Sequence, residues 1–553
     1  MRRITLYTLS FFVSLILASC ESEFIKRDPL SRVGDNVLFS TEEGALQALT
    51  GCYDAMGRME LYRRIHYEIA DCLSDDSEVG GKAGNYQHAG SQDLSRFIAT
   101  SDNETAASYW QYNYRGIARC NDVILRVPDI DMDEELERRI LAEAKFLRAL
   151  YHWNLNNAYG GVPLADHPLA QEEYYNIGRS SRLEVYEYII REMQLIAEDL
   201  PVSYPDTETG RVTRGAANAL LAKACLFVAT LKKYDTYIES SGEGFDPGNR
   251  IDADTYFGMA REAAEAVMDG PYSLVTGTFN LYDGELYEIE VPAFRWIFSI
   301  EGNNCEEMIF QVQHYDGHSG TGANYNEGND IAKWCLVRDA ISPDGTPIPK
   351  PGFGFNCPTQ DLVDEFETGD DIRFSTTITT DSDSILWEYN DSIVWCMCDH
   401  QQSPTGYGQG KIRPIPTQLY GGGGTYPSTQ SGFNITILRY AEVLLIHAES
   451  CAELGMEAEA RADLKAIRNR VGLSDYPTDP AYSDLLDAVR HERRCELALE
   501  HHRWFDLVRW GVAAEELEGT SYGEFFEEGV HEYLPVPDAE ITLSNVMKQN
   551  NGY

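Results

Sequence analysis

Positive charge is scarce in this chain. In 553 residues, 45 Lys and Arg stand against 89 Asp and Glu, a formal net charge of −44. So acidic a surface repels phosphate backbones, which argues against nucleic acid as a partner. It also lacks the basic patch needed to dock on anionic lipid. Long apolar runs are missing too. Past the first twenty residues no uncharged segment reaches the ~20 residues a helix needs to cross a bilayer. The twelve cysteines are widely scattered and form no framework that can be paired. Cys225 and Cys451 sit in helical apolar patterns, and buried thiols are the expectation. Catalytic and metal signatures are incomplete. Gly317-His-Ser-Gly320 is followed by Thr321, where a nucleophile elbow has its second glycine. Gly352-Phe-Gly-Phe355 lacks the third glycine of a dinucleotide loop. His491-Glu492 and His531-Glu532 lack the second histidine of a zinc-protease helix. Cys396-Met-Cys-Asp-His400 has no second ligand pair for tetrahedral zinc, and His314 and His318 are equally loose. No catalytic residue, metal ligand or cofactor is therefore expected. Calcium stays open, since acidic loops abound but no twelve-residue calcium loop appears.

What is present begins at the start of the chain. Arg2 and Arg3, an apolar run from Leu9 to Leu17, and Ala18-Ser19-Cys20 are the parts of an export signal. Leu-Ala-Ser-Cys20 resembles the lipobox of bacterial lipoproteins, whose cysteine is lipidated and becomes the first residue. Residues 1–19 are read as a signal peptide, Cys20 as the lipidation site and residues 20–36 as a polar tether.

The rest reads as one domain, 37–553, mainly α. Apolar residues at helical spacing predict helices over Thr41–Met59, Trp110–Val127, Asp133–Tyr159, roughly 181–200, 213–233 and Asp254–Met268. Residues 74–97, with paired glycines, read as a loop. From about 270 to 433 the chain turns rich in Gly, Pro, Asn and aromatics. Short strands are expected there at Trp296–Ile300, Met308–Val312 and Thr376–Thr379. Helices resume near Leu438 in a hairpin closed by Gly455 and Gly472, and Ser483 starts a long helix running past Leu499. Paired helices of this length suggest a tetratricopeptide-like scaffold, about 37–269 and 434–553, around an irregular insertion.

Six segments carry a more specific resemblance. Glu143-Ala-Lys-Phe-Leu-Arg-Ala-Leu-Tyr-His-Trp-Asn-Leu155 with Tyr159-Gly-Gly-Val-Pro-Leu164 resembles the signature helix and turn of the SusD/RagB family. Gly210–Ala224, Leu438–Glu449, Ile467–Leu473, Glu492–Trp510 and the ending Tyr533–Tyr553 are similar to that family's later elements, in the same order. The match runs from Cys20 to Tyr553. It implies a tetratricopeptide-like scaffold with a packed insertion. It also implies a surface lipoprotein of the outer membrane, facing outward, that captures nutrient as the lid of a SusC-like, TonB-dependent barrel. Glu21 and Glu23 resemble the sorting signal for the outer face.

The resemblance places the ligand site in the first loop and the insertion, where aromatic rings can stack on sugar faces. By position these are Tyr86 and His88, then Tyr315, Asn324, Tyr325, Trp334, Phe353 and Phe355. Trp110, Trp153, Trp504 and Trp510 lie in helical motifs and are expected in the core. Glu492, Arg493, Glu496, Glu500, Arg503 and Asp506 read as helix-bridging ion pairs in preference to an acid/base pair. The expected function is non-catalytic oligosaccharide binding. The alternatives are a peptide-binding lid and a surface glycoside hydrolase, which needs two carboxylates about 5–10 Å apart in a cleft.

Overall fold

The computed structural model describes residues 38–81, 88–234, 236, 252–283, 287–314, 328–349, 351–389, 392–413, 431–477, 482, 484–520 and 523–553. Cys20, the expected signal peptide and the tether lie outside the described residues.

Ten helices carry the scaffold and are labelled here: α1 Glu42–Asp54, α2 Glu104–Arg126, α3 Glu134–Tyr159, α4 Arg182–Ile196, α5 Arg214–Tyr234, α6 Ala253–Met268, α7 Tyr440–Glu453, α8 Glu457–Arg470, α9 Leu485–Leu497 and α10 Arg503–Trp510. Their starts are set by side chains that satisfy first-turn N–H groups. Asn103 accepts from Ala106, Asp133 from Glu135 and Leu136, and Asp252 from Thr255. Ser181 and Glu184 form a reciprocal capping box. Each helix from α1 to α8 packs on the next in sequence, and α7 also packs on α9. The α6–α7 contact belongs to this series although 171 residues separate their ends. The chain leaves the stack after Met268 and rejoins it at Tyr440.

Stacking explains burial that periodicity alone understates. α3 reads as amphipathic, yet from Ala142 to Tyr159 almost every side chain is buried, because α1, α2 and α4 surround it. Most of its buried polar side chains make at least one hydrogen bond. Asn154 accepts from Tyr62 at 2.9 Å, and Arg148 reaches Glu192 at 2.9 Å. α5 has the length and composition of a membrane span, but 83 % of its apolar window is buried in the stack. The four scaffold tryptophans, Trp110, Trp153, Trp504 and Trp510, are buried as expected.

The strands are short: β1 Ser77–Gly80, β2 Thr278–Asp283, β3 Tyr287–Pro292, β4 Met308–Val312, β5 Asp339–Ile341, β6 Pro347–Pro349, β7 Phe355–Pro358, β8 Ile378–Thr379, β9 Ser384–Tyr389, β10 Ser392–Asp399, β11 Gly408–Gln409 and β12 Ile435–Arg439. β6-β5-β10-β9 form one antiparallel sheet; β1–β7, β8–β11, β4–β12 and β2–β3 are pairs. A second hydrophobic core gathers under them. It includes Ile331, Phe355, Ile385, Trp387 and Cys396 with Tyr67, Cys72 and Val79 from the start of the chain.

Four expectations are corrected. Residues 74–97 are not all loop: they hold β1 and a helix, Ala89–Ser95, because β1 finds a partner in β7 far along the chain. Trp296–Ile300 is not a strand. Ala293–Trp296 is a helical turn after Pro292, and Phe294, Ile297 and Phe298 reach the core at helical spacing. Thr376 and Thr377 close the helix Asp371–Thr377, leaving only Ile378–Thr379 as strand. The last long helix stops at Leu497, since Leu499 and His501 take positive φ of 59° and 70°. The His501 N–H donates to Asp71 at 2.9 Å, so the break is held from the loop after α1.

Buried ion pairs tie the insertion to the stack. Arg439 contacts Glu307 at 2.9 Å, Glu496 at 2.7 Å and Glu500 at 2.6 Å. Arg470 on α8 reaches Glu307 at 2.8 Å and also pairs with Glu496. Glu492 is shared by Arg373 and Arg468, and Lys411 pairs with Glu500 at 2.5 Å. Arg493 and Arg509 both hold Asp506, and Arg503 holds Asp75 at 2.6 Å. The charge set of the late helices is thus a bridge between elements, and none of its carboxylates is free for acid/base work.

Candidate functional site: an aromatic nest between the first loop and the insertion

The chain after α1 and the insertion meet where β1 pairs with β7, Gly80 opposite Phe355 and Glu78 opposite Cys357. The approach is closer than a side chain permits. Gly81 has φ +79°, and a Cβ there would lie 2.8 Å from the Phe355 ring. On the other flank the segment before β7 folds against a helical turn, Ile331–Cys335. The Phe353 N–H donates to the Lys333 carbonyl at 2.9 Å, and Gly354 N–H to Leu336 at 3.0 Å.

These constraints bring four of the expected residues together. The His88 ring lies 4.3 Å from Phe355 and edge-on to Trp334 at 5.1 Å. Trp334 lies 5.0 Å from Phe353 and 5.5 Å from Phe355. The edge-on contact of His88 with Trp334 is a favourable one for rings, and the other three pairs are tilted. His88 and Phe355 are buried; Trp334 and Phe353 are half-buried and pack against the same core. Tyr86, Tyr315, Asn324 and Tyr325 lie outside the described residues.

Polar groups surround the rings. His88 Nδ1 sits 3.0 Å from Glu68 and 3.1 Å from Arg64, while Ser91 donates to Glu68 at 2.6 Å. Lys333 Nζ lies 5.7 Å from the Phe353 ring and 5.3 Å from Trp387, within cation–π range. Burial pushes the Lys333 amine down to about 8. The Trp334 indole N–H is buried with no hydrogen-bond partner among the described residues. Glu68, Arg64 and Lys333 were not legible in the sequence as site residues, because pairing with an aromatic nest is a tertiary fact.

Two groups of potential metal ligands share His491: Glu365 with Cys495, and Glu367 with Glu492. His491 Nδ1 already lies 2.6 Å from Glu365, and Arg468 already contacts Glu367 at 2.5 Å and Glu492 at 2.7 Å. Positive charge there comes from side chains. Cys396 and Cys398 both point into the core, and His400 bonds Asp381 at 3.0 Å. His314 Nδ1 lies 3.1 Å from the Val312 carbonyl, and His318 falls outside the described residues. The eleven cysteines from Cys52 to Cys495 are free, and all but Cys305 are buried. A cleft of about 460 Å³ opens elsewhere, between α2 and the C-terminal segment, lined by Tyr114, Arg115, Leu169, Tyr174 and Met547. None of the four expected residues that are described, His88, Trp334, Phe353 and Phe355, lines it.

A stack of helical hairpins carrying an aromatic-floored insertion, with its charged helix residues locked in ion pairs, defines a binding scaffold. The chain belongs to the SusD/RagB family. Residues 397–553 match the SusD family, and residues 49–226 match the family described as starch-binding associating with outer membrane. A solved laminarin-binding SusD-like protein is 30 % identical, covers 93 % of this chain and 100 % of its own, and superposes with a TM-score of 0.71. A SusD-like protein from Bacteroides fragilis NCTC 9343 is 24 % identical over 95 % of this chain and 100 % of its own, with a TM-score of 0.73. SusD-like protein P25 from Formosa agariphila is 24 % identical over 98 % of both chains.

Proposed function

We propose that this protein binds a neutral glucan without turning it over, at the outer surface of the outer membrane. Cys20 carries the lipid anchor, and the bound chain passes to a SusC-like barrel transporter. The observation that carries this reading is the nest. His88, Phe353, Phe355 and Trp334 are drawn from two distant segments into one ring cluster, and the Trp334 indole N–H has no hydrogen-bond partner among the described residues. Flat apolar ring faces and a few fixed polar groups match the C–H faces and hydroxyls of a sugar chain. A relative 30 % identical is named for laminarin binding, and one matched family is described as starch-binding, which supports a glucan. The pairing of Glu492, Glu496 and Glu500 with arginines and lysine supports binding without hydrolysis.

The test is to incubate the purified protein with laminarin, starch and a peptide panel, following both retention and products. Glucan retention without products is expected, and Trp334→Ala should weaken it about tenfold or more. Product formation, retention of peptides alone, or a Trp334→Ala protein that binds like wild type would each overturn the proposal.

A further inference from the structure

On the outer face of the four-stranded sheet two large apolar side chains stand exposed among the described residues, beside a buried Leu386. β10 alternates: Cys396 and Cys398 point into the core, while Trp395 and Met397 face outward, 50 % and 52 % exposed. Cross-strand pairing extends this face. Trp395 sits opposite Leu386, Met397 opposite both Ser384 and Ile341, and Ile341 opposite Pro347. Next along the face, Asp399 lies directly opposite Asp339, a like-charge pair that destabilises a sheet. The four strands carry no Lys or Arg, although Arg338 directly precedes Asp339 and the Gln401 N–H donates to Asp399 at 3.1 Å.

We propose that this face is a second glycan platform, with a sugar ring stacked on Trp395 and hydroxyls donated to Asp339 and Asp399. It rests on the reading of the nest as a glucan site and adds to it. The chemistry selects the occupant. Ring and flanking Met397 and Ile341 offer a flat apolar surface to C–H groups, whereas the two carboxylates accept from hydroxyls and repel anionic ligands. The platform is rigidly joined to the nest, because Trp387 on the inner face of the same sheet lies 5.3 Å from Lys333, next to Trp334. Two sites on one body raise the avidity for a long polymer without changing the affinity for a short one.

The experiment uses the full chain with laminarin and laminarihexaose. Trp395→Ala should lose about tenfold in retention by laminarin, measured by affinity electrophoresis, with unchanged laminarihexaose affinity by calorimetry. Asp399→Asn should weaken laminarin retention while leaving Tm equal or higher, a combination that a structural role for the pair would not produce. Unchanged laminarin retention in Trp395→Ala overturns the platform and leaves the nest standing. Equal loss for the hexaose also overturns it, as does a shift in sedimentation with retention intact, which would make the face a self-association surface. Wild-type protein that retains neither probe would overturn the glucan reading itself.

Discussion

At the scale of single residues, the buried charges follow from their partners. Glu367 shows how opposing effects resolve. Burial pushes its carboxyl up, but hydrogen bonds from His491 and Arg468 outweigh that and hold it at about 2, against an ordinary 4.5. A folded value below the unfolded one stabilises the protein above pH ~4.5, and this contribution is lost as pH falls toward 2. Glu367→Gln should therefore lower Tm near neutrality, and the gap to wild type should close as pH drops through that window in a thermal melt. His88 illustrates what residue chemistry alone could not supply. Its place in the first loop was legible, but its burial against Phe355 and its contact with Glu68 depend on segments that are remote in sequence.

At the scale of elements, helices were legible, whereas of the strands only Met308–Val312 was read in full. α3 is announced by Asp133, an acidic first turn, apolar spacing and Gly160, all local signals. β1 is only four residues long and exists because β7 lies beside it, so no local pattern marks it. Trp296–Ile300 misleads for the same reason: its β-branched and aromatic residues are used at helical spacing in the core. The pairing of β1 with β7 is also sensitive to a small change beside it. Gly81→Ala forces a side chain into positive φ and against the Phe355 ring. A cost of about 1–3 kcal/mol is expected, seen as a lower Tm and an altered near-ultraviolet spectrum with helical content retained.

At the scale of the whole molecule, a helical stack interrupted after α6 resumes at α7, and Arg439 stands at the point of return. It joins Glu307, which precedes β4, to Glu496 and Glu500 near the end of the chain. Arg439→Met would leave three buried carboxylates short of a partner. Removing one member of a buried pair costs about 3–5 kcal/mol, which denaturant unfolding should register. Glucan retention should fall in the same variant, since the insertion that carries Trp334 loses its clasp. Intact stability in that variant would show that Arg470 and Lys411 alone suffice to hold it. The sequence by itself determined the helical stack, the family to which the chain belongs and the two regions in which to look for a site, because capping and apolar periodicity act over a few residues and are written locally. Only the tertiary structure decided which aromatics form the nest and which carboxylates are locked in ion pairs, and that Trp395 is left in the open. Those outcomes depend on contacts between residues hundreds of positions apart, and burial, which sets both ring packing and charge pairing, is a property of the assembled fold.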